Sequence, residues 1–232
     1  MKEKKRPLAV FDIDGTVFRS SLVVEVLWEC IREGMLPRNA QKYWEAKQEA
    51  WRNREGSYEE YIDTLVEAFW KDIKGVPEQD FLKVAHRVLE RQQRRVYRFT
   101  RDLIVLLKKK DYFLVAISHS PKYIVDIFAK YWGFDKSYGM LLELDEQHRF
   151  TGRALHRDLI MDKSNILDRV LEKEAVTLVR SVGVGDTSSD ISFLKRVERP
   201  ICFNPNSKLY ATAKKRKWEV VVERKDVIYK GM

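Results

Sequence analysis

The segment Leu8-Ala-Val-Phe-Asp-Ile-Asp-Gly-Thr16 constrains this chain more than any other stretch of it. Its apolar run stops abruptly at two acids and a glycine, which is how a buried parallel strand meets a loop. Asp12 and Asp14 therefore stand at the carboxyl end of a strand. From Thr100 onward helix and strand alternate: a helix over Asp102 to Lys109, the strand Tyr112 to Ser118, and a helix over Lys122 to Trp132. That is a βαβ rhythm, and it predicts an open α/β sheet. Met140 to Gly152 reads as a hairpin with a polar turn, and Lys163 to Lys173 as a helix. The strand Leu178 to Val184 runs into a second acid-rich loop. Strands over Pro200 to Phe203 and Glu219 to Val222 flank a helix over Ser207 to Lys215, and Val227 to Met232 reads as a loose tail.

Between the first strand and Thr100 the pattern changes to helical segments rich in Glu, Lys, Arg, Trp and Tyr, with breaks near Gly34-Met-Leu-Pro37, Gly56-Ser57 and Gly75-Val-Pro77. This predicts an all-helical insertion of four or so helices. Its aromatics (Trp28, Trp44, Trp51, Tyr58, Tyr61, Phe69, Trp70) read as the insertion's own core, which an independent helical unit needs. At 232 residues and 44% hydrophobic composition, the chain can bury one good core and carry a modest second domain. The expected division is an α/β core over residues 1–17 and 99–232 and a helical cap over residues 18–98.

In an open α/β sheet the ligand crevice lies beyond the carboxyl ends of the strands, where loops distant in sequence converge. Asp12 and Asp14, two apart, project to one side of the pleat. One can attack phosphorus as a carboxylate while the other, partly protonated by its surroundings, donates a proton to the leaving oxygen. Gly15 permits the sharp exit from the strand, and Thr16 can hydrogen-bond back to an aspartate. The Ser118 hydroxyl and the backbone amides of His119 and Ser120 can cradle non-bridging phosphate oxygens. Lys163 is a cation before a helix, able to offset charge on phosphate and nucleophile. Asp186 and Asp190, in Gly185-Asp-Thr-Ser-Ser-Asp190, could share one hard cation with Asp12, and magnesium is the expected ion.

Taken in order, Asp-Ile-Asp-Gly-Thr, Ser118, Lys163 and Gly-Asp-x-x-x-Asp closely resemble the four signature motifs of the haloacid dehalogenase-like superfamily. The insertion after the first motif resembles a type I cap. Ile117-Ser-His-Ser-Pro121, together with Phe203-Asn-Pro-Asn206 and Lys215-Arg-Lys-Trp218, resembles subfamily IB, the phosphoserine-phosphatase-like branch. The resemblance implies a Rossmann-like parallel sheet core with an inserted all-helical cap, and a phosphoric monoester hydrolase working through an aspartyl-phosphate. It would make Asp12 the nucleophile, Asp14 the acid and base, Ser118 and Lys163 the phosphate binders, and Asp186 the metal ligand. Asp190 would hold or complete the metal shell, and the Asp14 carbonyl would be a third metal contact. Phosphoserine phosphatases carry a glutamate soon after the first motif, but Phe18-Arg-Ser-Ser-Leu22 has no acid and Glu25 is the first. His119-Ser120 replaces a glycine pair, and Ser189 stands for the fourth motif's asparagine. These departures bear on the leaving group and leave the phosphoryl chemistry untouched.

His119 adjoins the phosphate loop; with Asp14 available as acid and base, it reads as a structural or substrate-edge residue. Arg19 could reach an anionic substrate from the hinge or simply be solvated. Cys30 and Cys202 lack metal-ligand spacing and sit among apolar residues, as buried hydrophobes do. No apolar run reaches about 18 residues, and the chain reads as a soluble cytoplasmic protein. The net charge of +9 favours an anionic partner without saying which, and the motif set with its cap points to a small phosphorylated metabolite. The basic clusters (Lys2 to Arg6, Arg91 to Arg98, Lys214 to Lys217) read first as solvated helix faces or tails; a nucleic-acid-binding or end-processing protein is the less favoured alternative, and transfer to an acceptor other than water is a further one.

Overall fold

The computed structural model describes residues 5–231. Its strands are β1 (Arg6–Asp12), β2 (Phe113–Pro121), β3 (Lys136–Leu144), β4 (Phe150–Leu155), β5 (Val176–Gly185), β6 (Arg199–Phe203), β7 (Glu219–Arg224) and β8 (Val227–Lys230). They form one sheet in the order β4-β3-β2-β1-β5-β6-β7-β8. The six strands from β3 to β7 in that order are parallel, and the outer β4 and β8 run antiparallel to their neighbours. Helices α1 (Leu22–Arg32), α2 (Glu45–Arg52), α3 (Tyr58–Asp72) and α4 (Glu78–Gln92) lie between β1 and β2 in sequence, with a 3-10 turn over Ala40–Tyr43. The remaining helices are α5 (Arg98–Lys109), α6 (Lys122–Trp132), α7 (Arg157–Met161), α8 (Lys163–Lys173), α9 (Ile191–Leu194) and α10 (Ser207–Arg216).

The central strand shows why the first motif is apolar up to its acids. Leu8, Ala9, Val10 and Phe11 are all 0–1% exposed, because a parallel strand is covered on both faces. Each large side chain so buried contributes about 1.5–3 kcal/mol. β1 lies between β2 and β5, with Phe11 paired to Ala116 on one side and Val184 on the other. The carboxyl ends of these three strands therefore open together.

The short helices α7 and α9 have no counterpart in the sequence reading, and four further elements differ from it. Val227 to Lys230 is not a loose tail but strand β8, paired antiparallel to β7 from Val221↔Lys230 to Arg224↔Val227; Met232 lies outside the described residues. β2 continues past Ser118 to Pro121, where Pro121 pairs with Met140 after a register shift. α5 begins at Arg98, because the Glu223 carboxylate accepts from the backbone N–H groups of Arg98 (3.0 Å) and Phe99 (2.8 Å). An acid from a distant strand thus satisfies orphan donors of the first turn. β3 pairs parallel with β2 before forming the expected hairpin with β4.

Within the helical insertion Trp44, Tyr61, Leu65 and Phe69 are buried, Trp28 meets Trp44 edge-on, and Trp51 stacks on Tyr61 at 5.6 Å. The two connectors joining it to the sheet run side by side: Arg19 N–H donates to Arg95 O (2.8 Å) and Tyr97 N–H to Val17 O (3.0 Å). Cys30 and Cys202 are buried and unpaired. Among the described residues no helix is long and apolar enough to cross a membrane.

Candidate active site

At the crevice beyond β2, β1 and β5, all the residues singled out by the motifs converge. Lys163, first residue of α8, is only 2% exposed; the helix is started by Asp162, whose carboxylate accepts from Ser164 N–H. The Lys163 ammonium donates to Asp12 Oδ1 (2.6 Å) and Asp190 Oδ1 (2.5 Å). Burial alone would lower the lysine's pKa, but these two carboxylates outweigh it and raise it above its ordinary value. Asp190 is fully buried, and its Oδ2 accepts the backbone N–H groups of Asp186 (2.9 Å) and Thr187 (3.0 Å). Gly185 makes this turn possible: a Cβ there would lie 2.5 Å from Cβ of Asp190.

Asp14 is held differently. Its Oδ1 accepts Leu22 N–H (2.5 Å), and its Oδ2 accepts the hydroxyls of Ser120 (2.9 Å) and Ser118. Burial nevertheless raises its pKa, as suits a carboxyl that must carry a proton at some point in a cycle. Gly15, at φ +80°, turns the chain away, and a side chain there would run into the Asp186 carboxylate. Thr16 is fully buried, yet its hydroxyl makes no well-formed hydrogen bond to an aspartate; its carbonyl instead accepts from Thr100 Oγ1 (3.0 Å).

Asp12, Asp186 and Asp190 each offer an oxygen within 4.8 Å of the others. The hydrogen bonds divide these acids. Both oxygens of Asp190 are committed, whereas Asp12 Oδ2 and Asp186 Oδ1 are buried with no partner. Burial pushes Asp12 up to about 7, with Lys163 opposing and Asp190 and Asp14 reinforcing, and it raises Asp186 as well. Two orphaned carboxylate oxygens in an electron-rich, buried site fit a hard divalent cation.

His119 lines the same cavity, but its Nε2 lies 3.1 Å from the Ile160 carbonyl, and burial with the nearby Lys163 ammonium lowers its pKa to about 4. The imidazole is therefore neutral near pH 7 and tethered, which suits a wall of the cavity rather than a proton carrier. Arg19 is turned out of the cavity, its guanidinium 5.5 Å from the Tyr97 ring centre. Glu25 does not line it either: it is bonded to Arg95 (3.3 Å) and Gln92 (3.2 Å).

Several lining residues carry no motif. Glu59, Ile62, Asp63 and Val66 of α3 face the cavity at spacings of three, four and seven, one face of a helix. Glu59 accepts from Ser188 Oγ (2.6 Å), Asn206 Nδ2 (2.8 Å) and Lys208 Nζ (2.7 Å), all from loops or helix starts after β5 and β6. Burial opposes its charge, yet these bonds hold its carboxyl below its ordinary value. Acids interspersed with Ile and Val on one helical face were the sequence signal for this wall; the partners of Glu59 had none.

The basic clusters are largely spent on structure. Arg91 pairs with Glu29, Arg95 with Glu25, Arg94 bonds the Tyr131 hydroxyl, and Arg98 bonds the Asp226 carbonyl. Lys214 to Arg216 occupy the last turn of α10, where cations complement the helix dipole. Arg6 pairs with Asp135 and Asp111, while Lys2 to Lys4 lie outside the described residues.

Comparison with known proteins agrees with this architecture. A phosphoserine phosphatase of Archaeoglobus fulgidus is 25% identical over 202 residues, covering 87% of this chain; the chain spans 53% of that protein's length. A phosphoserine phosphatase of Methanocaldococcus jannaschii is 24% identical over 226 residues, covering 97% of this chain and 96% of that one. A protein of unknown function from Bordetella pertussis shares the fold, with a TM-score of 0.73 at 18% identity over 93% of this chain and 98% of that chain. The family model of the haloacid dehalogenase-like hydrolases matches residues 9–195, from the strand that ends at Asp12 past the turn that ends at Asp190. With its Rossmann-like sheet, its helical cap and that match, the chain belongs to the haloacid dehalogenase-like hydrolase family.

Proposed function

We propose that this protein is a magnesium-dependent phosphatase that hydrolyses a small phosphomonoester through an aspartyl-phosphate on Asp12. The observation that carries the reading is the unpartnered Oδ2 of Asp12, buried beside Lys163 in a cavity of about 330 Å³ that also holds Asp14 and Asp186. In the first step one carboxylate oxygen of Asp12 attacks phosphorus while its other oxygen would face the cation, the bond to the leaving oxygen breaks, and Asp14 supplies the proton the leaving alcohol needs. In the second, Asp14 takes a proton from water as the water attacks phosphorus; the bond to Asp12 breaks and inorganic phosphate leaves.

Lys163 offsets charge on Asp12 and the phosphoryl group, and the Ser118 hydroxyl, which here donates to Asp14 and accepts the Ser120 N–H (2.8 Å), would turn to the phosphate oxygens beside the amides of His119 and Ser120. Asp12, Asp186 and the Asp14 carbonyl would hold Mg2+, which supplies charge neutralisation for an incoming phosphate. Asp190, with both oxygens engaged, positions Lys163 and the metal loop. We assign residues 1–17 and 99–232 to the catalytic core and 18–98 to the cap; the paired connectors at Arg19 and Tyr97 support that division. Consumption of the Arg91 to Arg98 cluster in internal bonds favours a small phosphorylated metabolite over nucleic acid.

Phosphate release from p-nitrophenyl phosphate tests the reading. Activity is expected with Mg2+, is expected to vanish with a chelator, and is expected to return when Mg2+ is restored. Turnover indifferent to the chelator would contradict it.

A further inference from the structure

The far side of the cavity constrains the leaving group, an inference that rests on the phosphatase reading. Among the described residues Lys163 is the one cation that lines the cavity, and its ammonium is already shared between Asp12 and Asp190. No described arginine lines it, and Lys208, outside the lining, is held by Glu59. Mg2+ on Asp12 and Asp186 would be engaged by the phosphate, so a leaving group bearing a carboxylate would bring a second anion beside Asp63 with no free cationic side chain to meet it.

The same wall offers two other kinds of contact. Val23, Tyr58, Ile62, Val66 and Met161 supply apolar surface. Asp63, one turn beyond Glu59 on α3, is exposed and makes no hydrogen bond or ion pair among the described residues. Partial desolvation and the neighbouring carboxylates of Glu59 and Glu67 raise its pKa, with Lys208 opposing, and the two nearby acids favour a cation there.

We propose that the substrate is the phosphomonoester of an amino alcohol lacking a carboxylate, its carbon body packed on Ile62, Val66 and Met161 and its ammonium meeting Asp63. Asp63 is a specificity residue in this account. It accepts a charge-assisted hydrogen bond from the ammonium, while the phosphate stays on Asp12, Ser118 and Lys163.

The test compares kcat/KM for O-phosphoethanolamine, O-phosphoserine and butyl phosphate, with p-nitrophenyl phosphate as the reference for phosphatase chemistry. O-phosphoethanolamine is expected to exceed O-phosphoserine, from which it differs by one carboxylate, by about tenfold or more. Asp63→Asn is expected to lower the ratio of O-phosphoethanolamine to butyl phosphate by roughly three- to tenfold, mainly through KM. If p-nitrophenyl phosphate is hydrolysed but O-phosphoethanolamine does not exceed O-phosphoserine, the leaving-group inference fails alone. An unchanged ratio in Asp63→Asn overturns the role of that residue. If wild type hydrolyses nothing, including p-nitrophenyl phosphate with Mg2+, the phosphatase reading falls and this inference with it.

Discussion

Asp12→Asn is expected to lower phosphate release by about 10⁴-fold or more, since losing a nucleophile costs on that order. The substitution is nearly isosteric, and its amide oxygen can still accept from Lys163. It removes one of several carboxylates crowded into a site where burial already pushes Asp12 up to about 7. The variant should therefore melt no lower than wild type in the absence of added cation. Thermal denaturation beside the phosphate assay separates the two effects: loss of activity with an intact melting transition is expected, and retained activity would exclude Asp12 as nucleophile.

The second large effect falls on stability. Lys163→Met keeps the volume of a side chain that is 2% exposed but removes the ammonium shared by Asp12 and Asp190. Breaking a buried pair by deleting one partner leaves uncompensated charge and costs about 3–5 kcal/mol. That is a large fraction of the roughly 5–15 kcal/mol that holds a domain folded. The sign with pH is fixed. The folded-state pKa of Lys163 lies above its ordinary value, so its stabilising contribution is complete at neutral pH and is lost only as pH rises through that elevated value. Urea denaturation near pH 7 should show the deficit, and a midpoint equal to that of wild type would count against the buried ion-pair network.

The parts of the site that were legible in the sequence are those where backbone geometry and chemistry coincide. Asp12 and Asp14 close an apolar run, and Asp186 and Asp190 follow another. Order along the chain was enough to bring them to one crevice, because parallel strands present their carboxyl ends on the same edge. Helices α6 and α8 match their expected spans for a related reason: Gly133 ends the first in a left-handed cap, and Asp162 starts the second.

What the sequence hid depends on contacts between distant segments. Glu223 capping α5, and β8 adding to β7, rely on partners with no local signature. The extension of β2 through Pro121 rests on pairing with β3. The bonds from Ser188, Asn206 and Lys208 to Glu59 join three separate stretches of chain. The Arg91 to Arg98 cluster reads in sequence as a solvated face that leaves nucleic acid open, because its acidic partners, Glu25 and Glu29, lie on another helix.

The covalent step through Asp12 can be isolated in Asp14→Asn with p-nitrophenyl phosphate as substrate. Nitrophenolate leaves without protonation, so the first step survives the loss of Asp14, whereas the second step loses the base that activates water. A burst of nitrophenolate approaching one per enzyme is expected, followed by slow turnover, with one phosphoryl group added to the Asp12 peptide by mass spectrometry of quenched samples. Steady turnover with no burst and no phosphoryl group on Asp12 would contradict it.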